Sequence, residues 1–452
     1  MKFLCQRIIA CFLMCIITLV SMNTVNCHAG VIADYKRVKF MTPITKVDKE
    51  NTIKLKDAVG ITGVIASPRN IFDNSEAGYS SYITLKKVLD GKVIGDILLP
   101  YKSSLSCFDI QVSPNGKYVL FKLGTYGDIY DSFRIYIWNL SSNTVDQVTQ
   151  SDLTYYPVSW SPSSKYIAYL EGGDMFGGEY GIAGIYRPLK LFVYDVEKKA
   201  NRYIARGQSL RYFTWSGKDS IFYNQTAAEH ARTENDPSDK SLHLQGKQNI
   251  YETFVVDGAT KLLISGAKIQ IVSDDRSKVL FLNSHNPDQE NTKDNDENDT
   301  PTSYRYLCLF DTLLKKTTKL EISGFEPSFA KFTKDNNQLI YCVSNYRNKT
   351  GTLTVMEYDF PSQRILEIAK VEEKDSEDFH DRAAFQPQFN VYWLSSDEKQ
   401  LVFYSEHQGE KIGENRYLFP VKLNLVDITT KNVKIICEDV NNFSLTWGTL
   451  YK

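Results

Sequence analysis

The sequence predicts an all-β chain, a seven-bladed β-propeller of four-stranded antiparallel blades, with six or eight blades as the neighbouring counts. Three observations predict it. A unit of about 56 residues recurs, each unit holds four short β-type runs, and aromatic residues make up 13% of the 452 positions. Self-similarity at a fixed period marks an array of supersecondary units. Aromatic side chains suit a pleated, packed surface.

The chain opens with Met1-Lys2-Phe3-Leu4-Cys5-Gln6-Arg7 and then runs apolar from Ile8 to Val20, broken by Thr18. That run makes a helix of roughly 20 Å, short of a bilayer core of about 30 Å. A basic start, a short apolar centre and a small-residue exit read as a secretory signal peptide. Cys27-His28-Ala29 places cleavage after Ala29. The chain is then exported to the periplasm, the cell surface or the medium, with no transmembrane segment in its mature form. Lipid anchoring at Cys27 is the competing reading, but Thr24-Val25-Asn26 lacks the leucine and small residue such a site prefers. Residues 30–56 form an N-terminal extension of unassigned role, and 57–452 form the propeller.

The first unit lacks its strand one. Gly60–Ser67 reads as strand two, Ser81–Leu89 as strand three and Lys92–Leu99 as strand four. The next unit is complete: Phe108–Ser113, a Pro114-Asn115-Gly116-Lys117 turn, Tyr118–Phe121, a loop, Phe133–Asn139 and Val145–Thr149. Its successor repeats the plan with Pro157–Ser161, Tyr166–Tyr169 and Leu189–Asp195. Two landmarks extend the pattern. Ser113, Ser161, Ser216, Ser273, Thr333 and Ser395 each open a polar turn before an apolar strand. Asp90, Asn139, Asp195, Asp257, Asp311, Asp359 and Asp427 close strand three, as an Asx turn that caps the hairpin. At the far end, Asn442–Gly448 looks like an unaccompanied strand one. It is expected to complete the first blade and close the ring, which removes exposed sheet edges.

Ser113-Pro-Asn-Gly-Lys-Tyr118 and Trp160-Ser-Pro-Ser-Ser-Lys-Tyr-Ile-Ala-Tyr169 resemble the W-S-P-D-G-x-x-I-A-F signature of TolB-type, WD-like propeller repeats. The same repeat is similar to the N-terminal propeller of dipeptidyl peptidase IV relatives. The resemblance covers about residues 57–452 and is densest around Ser113 and Ser161. The Trp-Asp pair of true WD repeats is absent. The resemblance implies protein or peptide partners, in the cell envelope, at the funnel and loop faces.

Composition bounds the chemistry. With 53 Lys+Arg against 54 Asp+Glu, the net charge of −1 leaves no electrostatic basis for a nucleic-acid partner. Beyond the signal, Cys107, Cys308, Cys342 and Cys437 are scattered without a C-x-x-C pair, which excludes zinc and redox motifs and reads as buried thiols; one disulfide formed after export is the alternative. The insertion Gly172–Gly184 is rich in glycine and aromatics. It reads as a hairpin extension, and Phe176, Tyr180 and Tyr186 are the binding candidates it offers, since aromatics make good anchors. Asn286–Pro301 starts with the spacing of a calcium loop, but Asp299 stands at the glycine position and Arg305 at the bidentate glutamate position. It, Asn224–Lys247 and Glu372–Asp381 read as solvated loops. No G-x-S-x-G elbow and no H-E-x-x-H occurs, and no pair of histidines stands at metal-ligand spacing. The expectation is a non-catalytic binding module without cofactor or metal. The alternative is a propeller enzyme, such as a metal-dependent polysaccharide lyase or a hydrolase, with two histidines or carboxylates meeting in the tunnel.

Overall fold

A computed structural model describes residues between 64 and 439. It leaves out 125–132, 150–156, 173–188, 231–246, 284–305, 375–388, the two ends and shorter stretches between strands. The described residues form seven successive antiparallel sheets. Sheet one has three strands, β1 (Val64–Asp73), β2 (Gly78–Lys87) and β3 (Val93–Ser103). Sheet two holds β4 (Ser106–Val112), β5 (Tyr118–Gly124), β6 (Phe133–Asn139) and β7 (Thr144–Gln147). Sheet three holds β8 (Val158–Trp160), β9 (Tyr166–Glu171), β10 (Leu189–Asp195) and β11 (Ala200–Gly207). Sheet four holds β12 (Phe213–Trp215), β13 (Ser220–Thr226), β14 (Gln248–Phe254) and β15 (Thr260–Ile264), with a single helical turn, α1 (Ala227–His230), after β13.

Sheet five holds β16 (Ala267–Val272), β17 (Lys278–Asn283), β18 (Tyr306–Asp311) and β19 (Lys316–Lys319). Sheet six holds β20 (Pro327–Phe332), β21 (Gln338–Arg347), β22 (Thr350–Asp359) and β23 (Arg364–Lys374). In sheet seven, β24 (Phe389–Leu394) and β25 (Gln400–Glu406) pair in order with β28 (Val421–Asp427) and β29 (Asn432–Asp439). A small hairpin, β26 (Glu410–Gly413) with β27 (Arg416–Leu418), stands between β25 and β28. Every four-stranded sheet is a meander running from strand one to strand four in chain order.

Both faces of each inner strand are buried, so the second strands read as near-continuous apolar runs instead of alternating ones. Val119, Phe121 and Leu123 of β5 pack against sheet one, while Leu120 packs against sheet three. Ile167 and Tyr169 of β9 turn back toward sheet two, and Ala168 and Leu170 turn forward to sheet four. The same alternation continues through Ile221 and Phe222, Val279 and Leu280, and Leu339 and Ile340. One apolar cluster thus fills each junction from sheets one and two to sheets six and seven. Cys107, Cys308 and Cys342 are buried in these clusters.

The strands of sheet one are offset from those expected: β1 and β3 begin later in the sequence, and β2 begins earlier. The strand expected to end at Ser67 continues through Pro68-Arg69-Asn70 inside β1, where Pro68 pairs with Ile83. Proline is tolerated in a strand that is at the edge among the described residues. The expected closing strand, Asn442–Gly448, lies outside the described residues, as do Ser395 and Asp90.

Both landmarks have a physical basis. Ser113, Ser161, Ser273 and Thr333 each accept, at the side-chain oxygen, the backbone N–H five residues on, and donate their own N–H to that residue's carbonyl. The fourth turn residue takes a positive φ: Gly116 at 68°, Ser164 at 62°, Arg276 at 67° and Asn336 at 57°. Asn139, Asp195 and Asp311 each accept two successive backbone N–H groups, and Asp359 and Asp427 each accept one, closing the turn between strands three and four. Sheet four departs. The register pairs Ser220 with Phe254, so Phe254 takes the landmark position, and Asp257 belongs to a different turn reversed at Gly258 with φ 76°.

Candidate binding face

In a meander, the turns between strands one and two and between strands three and four lie at one end. The connections between strands two and three, and from one sheet to the next, lie at the other. The first end is tight, and its turns are tied across the junctions. Asn115 N–H donates to Ser164 Oγ (2.9 Å), Ser163 N–H to Asp219 Oδ1 (3.3 Å), Gly217 N–H to the Asp274 carbonyl (2.7 Å) and Lys334 N–H to Glu398 Oε1 (2.7 Å). At the same end Glu252, with a side chain 1% exposed, accepts from Ser220 Oγ (2.9 Å) and pairs with Lys261 (2.8 Å) and with Arg276 of sheet five. Both cations stand over the Phe254 ring, at 5.2 and 4.8 Å. This cluster locks sheet four to sheet five and offers little open chemistry.

The other end carries the long connections, and its best-defined corner is on sheet four. Here β13 ends Asn224-Gln225-Thr226, all buried. Asn224 donates through Nδ2 to the Ala267 carbonyl (2.8 Å) and accepts at Oδ1 from Ile269 N–H (2.8 Å), pinning β13 to β16. Asn249 Oδ1 accepts from Gly266 N–H and Ser265 Oγ, both at 3.0 Å. Gln225 Nε2 donates to the Arg206 carbonyl of β11 (2.6 Å). One corner therefore joins sheets three, four and five through neutral amides.

Thr226-Ala-Ala-Glu229 starts α1 as a capping box. Thr226 N–H donates to Glu229 Oε2 (2.8 Å), and Glu229 N–H donates to Thr226 Oγ1 (3.2 Å). The buried Glu229 carboxylate lies against Gly207, where an added Cβ would come within 2.6 Å of it. The turn delivers His230, whose ring stacks on Tyr251 at 4.1 Å and 15°, and Tyr251 in turn stacks on Tyr223 at 6.0 Å. His230 Nδ1 lies 3.2 Å from Gln225 Oε1. The ring is exposed, while partial burial holds its pKa below the ordinary imidazole value. Tyr212, just before β12, is 46% exposed, yet burial around its hydroxyl raises its pKa.

Asn224–His230, expected as the start of a solvated loop, is therefore a strand end and a capped helical turn. The Thr-x-x-Glu spacing is the signal that could have shown it. Phe176, Tyr180 and Tyr186 lie outside the described residues, as do His243, His285, His380 and His407. Among the described residues, no three His, Cys, Asp or Glu side chains gather as a metal set, and no helix is long and apolar enough to cross a membrane.

The chain is similar to the β-propeller domain of the Trilobed protease from Pyrococcus furiosus, at 13% identity and a TM-score of 0.47 over 89% of this chain and 100% of that one. It is similar to TolB from Acinetobacter baumannii at 12% identity and a TM-score of 0.37, over 89% and 88% of the two chains. It is also similar to an oligogalacturonate lyase in complex with manganese, at 12% identity and a TM-score of 0.44 over 82% and 85%. No family model and no curated protein matches the chain. The sequence repeat that resembles TolB-type propellers folds, in this chain, as the four-stranded meander expected of it.

Proposed function

We propose that the chain is an exported, non-catalytic binding module, a seven-bladed propeller that engages a protein or peptide partner of the cell envelope. In this reading residues 1–29 are a signal peptide, 30–56 an extension, and Asn442–Gly448 completes sheet one and closes the ring. The supporting observation is the difference between the two ends. One end spends its polar groups on its own turns and junctions, whereas the other sets exposed His230 on a hydrogen-bonded base and leaves Tyr212 exposed just before β12. Loops held by a rigid scaffold are where binding residues concentrate. The aromatics Phe176, Tyr180 and Tyr186 of the neighbouring connection belong to the same reading.

The experiment is site-specific photocrosslinking in the native envelope. A benzophenone at position 212 is expected to form a discrete protein adduct, and one at position 313, on the tight end, is not. Adducts from position 313 alone would overturn the reading. Metal analysis of the purified chain separates it from a lyase-like enzyme, because one tightly held manganese, calcium or zinc per chain would favour catalysis.

A further inference from the structure

We propose that the turn Leu313-Leu314-Lys315-Lys316, between β18 and β19, is a membrane-surface contact: its two leucines enter the headgroup boundary of an anionic bilayer while its lysines meet the phosphates. This goes beyond the partner-binding reading and does not rest on it, since it concerns the tight end. Three observations lead to it.

The first is an exchange of places among otherwise equal turns. In sheets two, three, six and seven the landmark residue is followed by an apolar one, Leu140, Val196, Phe360 or Ile428, which packs into a junction. The next two positions are polar or proline: Ser141-Ser142, Glu197-Lys198, Pro361-Ser362 and Thr429-Thr430. Sheet five inverts this order. Thr312 takes the inner place, donating its hydroxyl to the Arg276 carbonyl at 2.8 Å, and Leu313 and Leu314 follow, exposed by 80% and 74%. The turn itself does not require leucine. The N–H groups of Leu313 and Leu314 donate to Asp311 Oδ1, both at 2.9 Å, and Lys315 takes the positive φ of 54° that Asn143, Lys199, Gln363 and Lys431 take in their turns at 57°, 51°, 54° and 60°. Apolar surface that the fold leaves in water is available to another phase.

The second observation is the charge beside it. From Tyr306 to Lys319 the hairpin carries Lys315, Lys316 and Lys319 against Asp311 alone, and that carboxylate is committed to its own turn. Lys315 and Lys316 are exposed, whereas the exposed Asp274 and Asp275 belong to the β16–β17 turn, two strands inward. An apolar tip bordered by cations fits a surface that is negative outside and apolar beneath. The third observation is the next turn. In sheet four Val256 stands two residues after Phe254, the position of Leu313, and is likewise 80% exposed. The Gly217–Asp274 hydrogen bond and the Glu252–Arg276 pair hold sheets four and five together at this end. Two apolar points on neighbouring, tied sheets match a broad soft surface better than a groove shaped for one of them. Contacts of this size give weak, reversible attachment.

The test uses the full chain with a fluorescent amino acid at position 313 or, for comparison, at position 141, its counterpart in sheet two. Each is titrated with phosphatidylcholine vesicles holding about 30% phosphatidylglycerol and a lipid spin-labelled on its acyl chain. Fluorescence at 313 is expected to be quenched and that at 141 is not, the apolar run Ile8–Val20 being common to both chains. The titration midpoint should rise about tenfold in Leu314→Ser. It should rise about thirtyfold when Lys315→Ser and Lys316→Ser are combined, or when phosphatidylglycerol is omitted. All these side chains are exposed, so the variants are expected to unfold in urea as the parent does. Equal quenching at the two positions, no quenching at 313, or a midpoint indifferent to the lysines overturns the inference. So does a discrete protein adduct from a benzophenone at 313, which would make the tip a protein contact. If 313 is quenched as stated but position 212 yields no adduct, this inference stands and the binding-module reading falls.

Discussion

The two ends of the sheets are built from the same strands and solve opposite problems. At the tight end, most turns repeat the same hydrogen bonds, and the backbone strain of Ser164, Asp219, Arg276, Asn336 and Glu398 in the left-handed region is offset by ties to the preceding sheet. At the insertion end, the strands differ in length and in where they stop, and β13 finishes in three buried polar residues, Asn224, Gln225 and Thr226. Regularity is a matter of stability at one end, and departure from it leaves side chains facing outward at the other.

The comparison breaks most sharply at its buried polar groups. Glu252→Ala leaves Arg276 half-sheltered without its carboxylate, and is expected to cost about 3 kcal/mol in urea unfolding. Gln225→Ala, at the insertion end, removes neutral partners and should cost about 1.5 kcal/mol. Equal losses would mean the tight end is not the mechanical seam.

Two glycines sharpen the contrast at a lower level. An added Cβ at Gly217 would meet the Asp274 carbonyl, part of the backbone, at 2.4 Å, so Gly217→Ala is expected to destabilise by about 2 kcal/mol. At Gly207 the obstacle is the Glu229 side chain, which can swing, and Gly207→Ala should cost about 1 kcal/mol while increasing amide exchange in α1.

Acid should separate the ends without mutation. The folded pKa of His230 lies below its ordinary 6.5, so the stability its neutral form provides is present above that pH and is lost as pH falls through the folded value. Asp335 is held low by the Asn337 backbone N–H and the Thr333 hydroxyl. For Asp275, burial acts upward but the hydrogen bonds from Ser277 and Ser273 outweigh it. Their stabilisation persists above the ordinary carboxylate value of 3.8 and is lost below it. Amide exchange followed during acidification is expected to rise first around α1 and only later at the turns. The reverse order would contradict the assignment.

The smallest effect concerns Leu313 and Leu314, exposed by 80% and 74% on the tight end. Leu313→Ser should change stability by no more than about 0.5 kcal/mol, and should leave the adduct from position 212 intact.

Much of this fold was legible in the residues. Ser113, Thr333, Asn139 and Asp311 announce their turns because a short side-chain oxygen can satisfy a nearby N–H without help from distant parts of the chain. The apolar runs Tyr118–Phe121 and Leu339–Cys342 announce strands because both faces of an inner strand are covered. Where reading failed, a distant partner was in control. Pro68 sits inside a strand because β2 pairs with it, and Phe254 displaces the expected aspartate because Arg276 and Lys261 cover its ring. The site was less legible still, since His230 became a candidate only when Gln225, Arg206 and Tyr251, which come from three strands, met around it.

Local chemistry, then, determined the repeat, its turns and its buried face, since each depends on residues within a few positions of one another. Tertiary structure alone decided which polar groups were consumed by neighbouring sheets and which were left facing outward. Hydrogen-bond partners 19 to 45 residues apart, such as Gln225 with Arg206 and Asn224 with Ile269, become neighbours only once the sheets have packed.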